Sequence, residues 1–205
     1  MTRDELPADL AERLKALHEE GRTIFETFER DVRSAAFHPF KPANYPAMVD
    51  TLLPFVGESR TFLEWGSATG IIAITADLLG FEAYGIEIDA ELVEVSRDLA
   101  RRHGSQARFA AGSLLPDGYA WRSASGDPRL GTIEEGESGY GKLGMPLSEF
   151  DLVYGYPWSG EDAMMVDIME HHAVDGARLL LNRGSEGVKV IRIIGGTARE
   201  EAWTS

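Results

Sequence analysis

The chain has 205 residues, 43% of them hydrophobic, which suits one globular domain with an appended arm. Its formal charge of −14 sets up a field that repels nucleic-acid phosphates and anionic lipid, so neither is an expected partner. The absence of cysteine excludes disulfides, thiol nucleophiles and cysteine-ligated zinc, and no apolar run reaches the roughly 18 residues of a membrane span.

The first nine residues are charged and lack the apolar centre of a secretory signal, so a soluble cytoplasmic protein is expected. Residues 4–36 predict helix: Leu6, Leu10, Leu14 and Leu17 recur at helical spacing, and Ile24, Phe25 and Phe28 continue the pattern. Gly21 marks a point where this stretch could divide into two helices. His38-Pro39-Phe40-Lys41-Pro42 then imposes extended or turn backbone, and a short helix over 46–53 is closed by Pro54. Residues 1–54 thus read as a helical arm ahead of a main domain at 55–205.

After Arg60 the pattern changes. A strand at 61–65 is followed by a Gly-rich turn at 66–70 and an apolar helix at 71–79, capped by Gly80. A second strand at 82–88 leads to Asp89, placed to N-cap a helix at 90–102, and a third strand follows at 107–111. This alternation predicts a parallel sheet with helices on both faces. Residues 116–149 interrupt it with seven glycines and three prolines. A loop of that length is either functional, here a lid carrying Tyr119, Trp121 and Tyr140, or an unstructured insert. A strand at 150–154, a helix at 161–174, a strand at 177–181 and a last antiparallel strand at 188–194 complete the reading, with a polar, frayed tail beyond. The total is about six strands.

The chemistry starts at Glu64-Trp65-Gly66-Ser67-Ala68-Thr69-Gly70, where a strand ends, the chain turns on small residues and a helix begins. Small residues let a ligand approach the backbone, and ligands of open parallel sheets sit beyond the carboxyl ends of the strands. Glu87 stands seventeen residues beyond Gly70, at the end of the second strand, where a carboxylate can accept hydrogen bonds from two ribose hydroxyls. Together the turn and Glu87 point to adenosine. A dinucleotide fingerprint would place glycine where Gly66, Ala68 and Ile71 stand, and the last two of these fail. Glu64 would also repel a pyrophosphate, and no Gly-Lys-Ser/Thr of a phosphate-binding Walker loop is present.

The segment Glu64–Gly70 resembles the first motif of the class I S-adenosylmethionine-dependent methyltransferases, and its Glu-Trp-Gly-Ser opening resembles a small bacterial subgroup of that superfamily. Tyr84-Gly85-Ile86-Glu87-Ile88-Asp89 is similar to the second motif, Phe109-Ala110-Ala111-Gly112-Ser113-Leu114 to the adenine-contacting motif, and Phe150-Asp151-Leu152-Val153-Tyr154 to the fourth. The resemblance spans roughly residues 55–182. It implies an α/β, three-layer Rossmann-like fold with a mostly parallel sheet, and S-adenosylmethionine as cofactor. It places Glu64 and Gly66, Ser67, Ala68 and Gly70 at the methionine moiety, Glu87 at the ribose, and Ser113 with Leu114 at adenine, with Ile88 and Gly112 as further cofactor-binding residues. Three features depart from the family pattern: Ala68 replaces the middle glycine, Ser113 replaces the usual aspartate, and the C-terminal part is short.

On the acceptor side, Gly155-Tyr156-Pro157-Trp158 stands where amine methyltransferases carry Asn/Asp-Pro-Pro-aromatic. Without the gripping amide or carboxylate, amine methylation is not supported. Tyr154, Tyr156 and Trp158 either wall an acceptor pocket or pack beneath the long loop, and Phe40, Lys41 and Tyr45 either close over the cofactor or dock the arm. Glu161 and Asp162 read as first-turn acids favoured by the helix dipole, with a substrate-facing base as the alternative. His171 and His172 are neighbours on a helix and cannot share a metal, so no metal is expected. Arg97, Arg101 and Arg102 read as a solvated face. No catalytic residue can be named. The expected acceptor is a small molecule or a protein side chain, and a homodimer stays open. A binding protein that senses the cofactor without catalysis, and a nicotinamide dehydrogenase, are the competing readings.

Overall fold

A computed structural model of the chain describes residues 2–32, 43–119, 136–157 and 161–202. His38 to Pro42, Trp121, Trp158 and the side chain of Phe28 lie outside the described residues. The arm contributes α1 (Ala8–Val32) and α2 (Tyr45–Leu52). There follow β1 (Thr61–Trp65), α3 (Ile71–Leu78), β2 (Glu82–Glu87), α4 (Ala90–Arg102), β3 (Arg108–Ala111) and α5 (Gly139–Leu143). The chain ends with β4 (Leu152–Gly155), α6 (Asp162–His172), β5 (Arg178–Asn182), β6 (Val188–Ile194) and β7 (Thr197–Glu201).

The strands form one sheet in the order β3-β2-β1-β4-β5-β6-β7, parallel from β3 to β5 and antiparallel beyond. β1 is buried along its whole length, as expected of a strand covered on both faces. Alternate side chains divide the core. Phe62, Leu152, Tyr154 and Leu180 pack under α1–α4, with Leu17, Leu52 and Leu99 among their neighbours. Leu63, Trp65, Tyr84 and Ile86 pack under α5 and α6, with Tyr140, Met164 and Ile168. Strand order turns back at β1, which has β2 on one side and β4 on the other, and a cleft opens at the carboxyl ends of strands arranged this way.

Among the described residues the sheet has seven strands, not six. The tail read as frayed forms β7, because Gly195 and Gly196 adopt φ of +59° and +71° and close a two-residue hairpin of the type whose twist matches paired strands. Gly21 does not divide α1. A Cβ there would lie 2.8 Å from Ile71 Cδ1, so the glycine lets α1 cross the start of α3 closely. Part of the stretch 116–149 is core: Tyr140 and Leu147 are buried, and Trp65 Nε1 donates to the Tyr140 hydroxyl at 2.7 Å. The arginines of α4 are paired, Arg97 with Glu94, Arg101 with Asp98, and Arg102 with both Asp98 and Glu20.

Candidate functional site

The turn after β1 is built from residues that tolerate unusual backbone. Gly66 and Gly70 have φ of +64° and +73°. A Cβ on Gly66 would meet no atom within 4 Å, so the turn faces open space there, whereas one on Gly70 would strike the Phe109 ring at 2.6 Å. Ala68, at φ +46°, is the one non-glycine residue with positive φ among the described residues. Strain of that kind costs on the order of 1–2 kcal/mol for an alanine and persists only where neighbours hold it. The holding contact is visible: Ala68 N donates to Glu87 Oε2 at 2.8 Å. Ser67 N donates to the Ile86 carbonyl at 3.0 Å and ties the turn to β2.

Glu87 thus ends β2 with its carboxylate against the turn. Its second oxygen, Oε1, accepts from Asp89 N at 3.0 Å, and Asp89 caps α4 by accepting from Glu91 N and Leu92 N. Burial raises the Glu87 pKa, while the Asp89 and Ala68 amides oppose that rise. Glu64, on β1, is buried and accepts from Ala73 N in the first turn of α3 at 2.9 Å. Burial holds its pKa well above the usual carboxylate range, the Ala73 amide works against this, and the Glu87 charge adds to the rise. Two carboxylates therefore flank one turn, each held where its charge is costly. A ligand cation would relieve both, and a ligand phosphate would worsen both.

Ile88, next to Glu87, is 38% exposed, an unusual state for an isoleucine adjoining a buried strand. Gly112 N donates to the Glu87 carbonyl at 2.8 Å and brings the end of β3 alongside. Ser113 is already engaged: its hydroxyl accepts from Leu115 N, its amide donates to the Glu137 carbonyl, and its carbonyl accepts from Gly139 N. Leu114 is buried in the same cluster as Trp65, Tyr140 and Leu147, on the α5–α6 face of the sheet. Among the described residues the buried Ser67 hydroxyl has no hydrogen-bond partner, and the Ser67 Cβ would lie 2.8 Å from a Cβ placed on Gly85 of β2.

The described acceptor-side candidates, Tyr45, Tyr154 and Tyr156, gather on the α1–α4 face. Tyr154 pairs in register with Glu64 across β1 and β4. Its hydroxyl accepts from Asn182 Nδ2 at 2.9 Å, and Asn182 Oδ1 accepts from Gly184 N at 2.8 Å. Tyr45, at the start of α2, is buried, and burial reinforced by the Glu64 charge pushes its pKa up to about 12. Burial also raises the Tyr154 pKa. Both are neutral phenols at pH 7. Tyr156 is half-buried against the same core, its hydroxyl beside Gly184. Asp162 accepts from Arg183 at 2.7 Å, and Glu161 is fully buried. Asn182 was not singled out from sequence. The signal was available in Leu179-Leu180-Leu181-Asn182, where an amide ends an otherwise apolar strand.

The fold has a solved counterpart. The crystal structure of an RNA methyltransferase from Salinibacter ruber in complex with S-adenosyl-L-homocysteine superimposes with a TM-score of 0.52 over 80% of this chain and 97% of that one, at 20% identity. The chain has the fold of the class I methyltransferases. Sequence likeness to this superfamily is local. A stretch of 53 residues is 42% identical to the ribosomal protein L11 methyltransferase of Pectobacterium carotovorum subsp. carotovorum (strain PC1), covering 25% of this chain and 18% of that enzyme. A stretch of 52 residues is 38% identical to the ribosomal protein L11 methyltransferase of Thermus thermophilus, covering 25% of this chain and 20% of that enzyme. The chain therefore matches about a fifth of the length of these methyltransferases. No protein-family model matches it. Among the described residues, no helix is long and apolar enough to cross a membrane.

Proposed function

We propose that this chain binds S-adenosylmethionine across the carboxyl ends of β1 and β2 and transfers its methyl group to a small molecule or a protein side chain. The observation that carries the reading is the Glu87 carboxylate. Each of its oxygens accepts one backbone N–H, from Asp89 and from Ala68, and each oxygen has a second lone pair to offer a ribose hydroxyl. Ile88 offers an apolar surface beside it, and Glu64 stands across the turn, suited to an ammonium or sulfonium.

Glu64 also argues against a dinucleotide. The first turn of α3, which would receive a pyrophosphate, already has its Ala73 N–H occupied by this carboxylate. The open space over Gly66 fits a bulky ligand, and the charges around it favour a cationic one.

Bound there, S-adenosylmethionine would supply an activated methyl group, so acceleration rests largely on alignment of the acceptor. The protein's share is positional. Glu64, Glu87 and the strained turn orient the donor. Tyr45 and Tyr154 line the acceptor side as neutral phenols, donors and not bases, with Asn182 fixing the Tyr154 hydroxyl.

Calorimetric titration tests the reading. S-adenosylmethionine and S-adenosylhomocysteine are expected to bind and NAD is not. Glu87→Ala is expected to weaken S-adenosylmethionine at least about tenfold, the loss of one or two hydrogen bonds to a charged group, with an unchanged circular dichroism spectrum. Tight NAD binding, or an unchanged affinity in Glu87→Ala, overturns it. Transfer of a tritiated methyl group across metabolite and protein panels then separates an enzyme from a sensor.

A further inference from the structure

The arm carries a recess of its own. A cleft of about 200 Å³ lies between α1 and α2, and none of the residues around the Gly66–Gly70 turn lines it. Its floor is apolar, with Leu6, Leu14 and Val49 buried. Its remaining polar lining is basic: Arg3, Lys15, Arg22 and His18. Among the described residues no aspartate or glutamate lines it, in a chain where acids outnumber lysines and arginines by fourteen.

This grouping runs against the charge of the molecule. Arg3 is paired at the rim with Asp50 at 3.6 Å, both side chains about half exposed, an interaction of little strength. His18 is held rigidly in the wall. It is 6% exposed, its Nε2 lies 3.0 Å from the hydroxyl of the buried Thr75 on α3, and its ring packs on Tyr45 with centroids 5.3 Å apart. Burial, with the Arg22 charge adding to it, pushes its pKa down to about 4, so near neutral pH the positive charge in the cleft belongs to Arg3, Lys15 and Arg22.

An apolar floor beneath cationic heads selects an amphipathic anion. The volume admits a small one, and a singly charged carboxylate meets less repulsion from a chain at −14 than a doubly charged phosphate ester. We propose that this cleft binds a small organic carboxylate with an apolar body, its carboxylate against Lys15 and Arg22 and its body on Leu14 and Val49. The proposal stands apart from the cofactor reading and does not depend on it.

Benzoate and its neutral isostere benzamide serve as probes of the full-length chain, read by amide shifts in heteronuclear NMR. Benzoate is expected to produce saturable shifts centred on Leu14, Lys15, His18 and Val49, with benzamide at least about tenfold weaker, the contribution of a charge-assisted hydrogen bond. Lys15→Glu is expected to weaken benzoate by a similar factor and leave benzamide unchanged. The same shifts are expected with S-adenosylhomocysteine present in excess, so this test and the cofactor test fail independently. Equal affinity for the two probes, shifts centred on the Gly66–Gly70 turn, or no saturable shift up to the solubility limit overturns the proposal.

Discussion

Glu64 combines two roles that pull in opposite directions. It satisfies an amide at the start of α3, and it holds a carboxylate in an apolar strand. Its pKa is raised in the folded chain, so its contribution to stability is full below the unfolded value near 4.3 and is lost as pH rises through the folded one. Glu64→Gln keeps an acceptor for Ala73 N and removes the charge. The ligand-free variant is expected to melt above the wild type at pH 8, with the difference shrinking toward pH 4 in scanning calorimetry. His18 has the opposite sign. Its pKa falls from 6.5 to about 4, so its stabilisation is present above pH 6.5 and is lost as pH drops toward 4. NMR titration of its imidazole is expected to show a midpoint near pH 4. At Gly70, a methyl group would meet both the Phe109 ring at 2.6 Å and Ser96 Cβ at 2.9 Å, in left-handed backbone. Gly70→Ala is expected to cost roughly 1–3 kcal/mol in urea denaturation.

At the scale of elements, legibility followed periodicity. α4 was readable to the residue, because Asp89 caps it and its buried residues Val93, Ser96, Leu99 and Ala100 recur at helical spacing. β1 was readable as a short apolar run ended by glycine. α5 was not. Its five residues, Gly139-Tyr140-Gly141-Lys142-Leu143, have the composition of a loop, and long-range contacts make them structure: Tyr140 docks on Trp65, Gly139 N donates to the Ser113 carbonyl and Lys142 Nζ to the Ala111 carbonyl. Tyr140→Phe keeps the ring and leaves the buried indole N–H without its acceptor. The expected loss is about 1–3 kcal/mol, measured by urea denaturation with Trp65 among the fluorescence reporters. β7 was missed for a different reason. Gly195-Gly196 is a strong hairpin signal, but the strand after it, Thr-Ala-Arg-Glu-Glu, is polar because it lies at the sheet edge.

Across the whole molecule, the arm and the sheet share one core. Leu14 and Leu17 of α1 and Met48 and Leu52 of α2 are buried in the same cluster as Phe62, Ile74 and Leu180. The net charge of −14 acts on all of it through self-repulsion. Exposed ion pairs such as those of α4 are worth about 0–1 kcal/mol each and weaken with salt, while repulsion among the excess acids weakens too. The second effect involves the larger sum, so added sodium chloride is expected to raise Tm. By itself the sequence determined the α/β class, the order of the strands from β1 to β6, and the place of the turn and of Glu87, since these rest on local periodicity and on residues with special backbone or charge. Only the tertiary structure decided that Glu87 braces a strained Ala68, that Tyr154 is met by Asn182 from the next strand, and that basic side chains of α1 border an apolar cleft. Those facts join residues far apart in the chain, and local patterning carries no information about such distances.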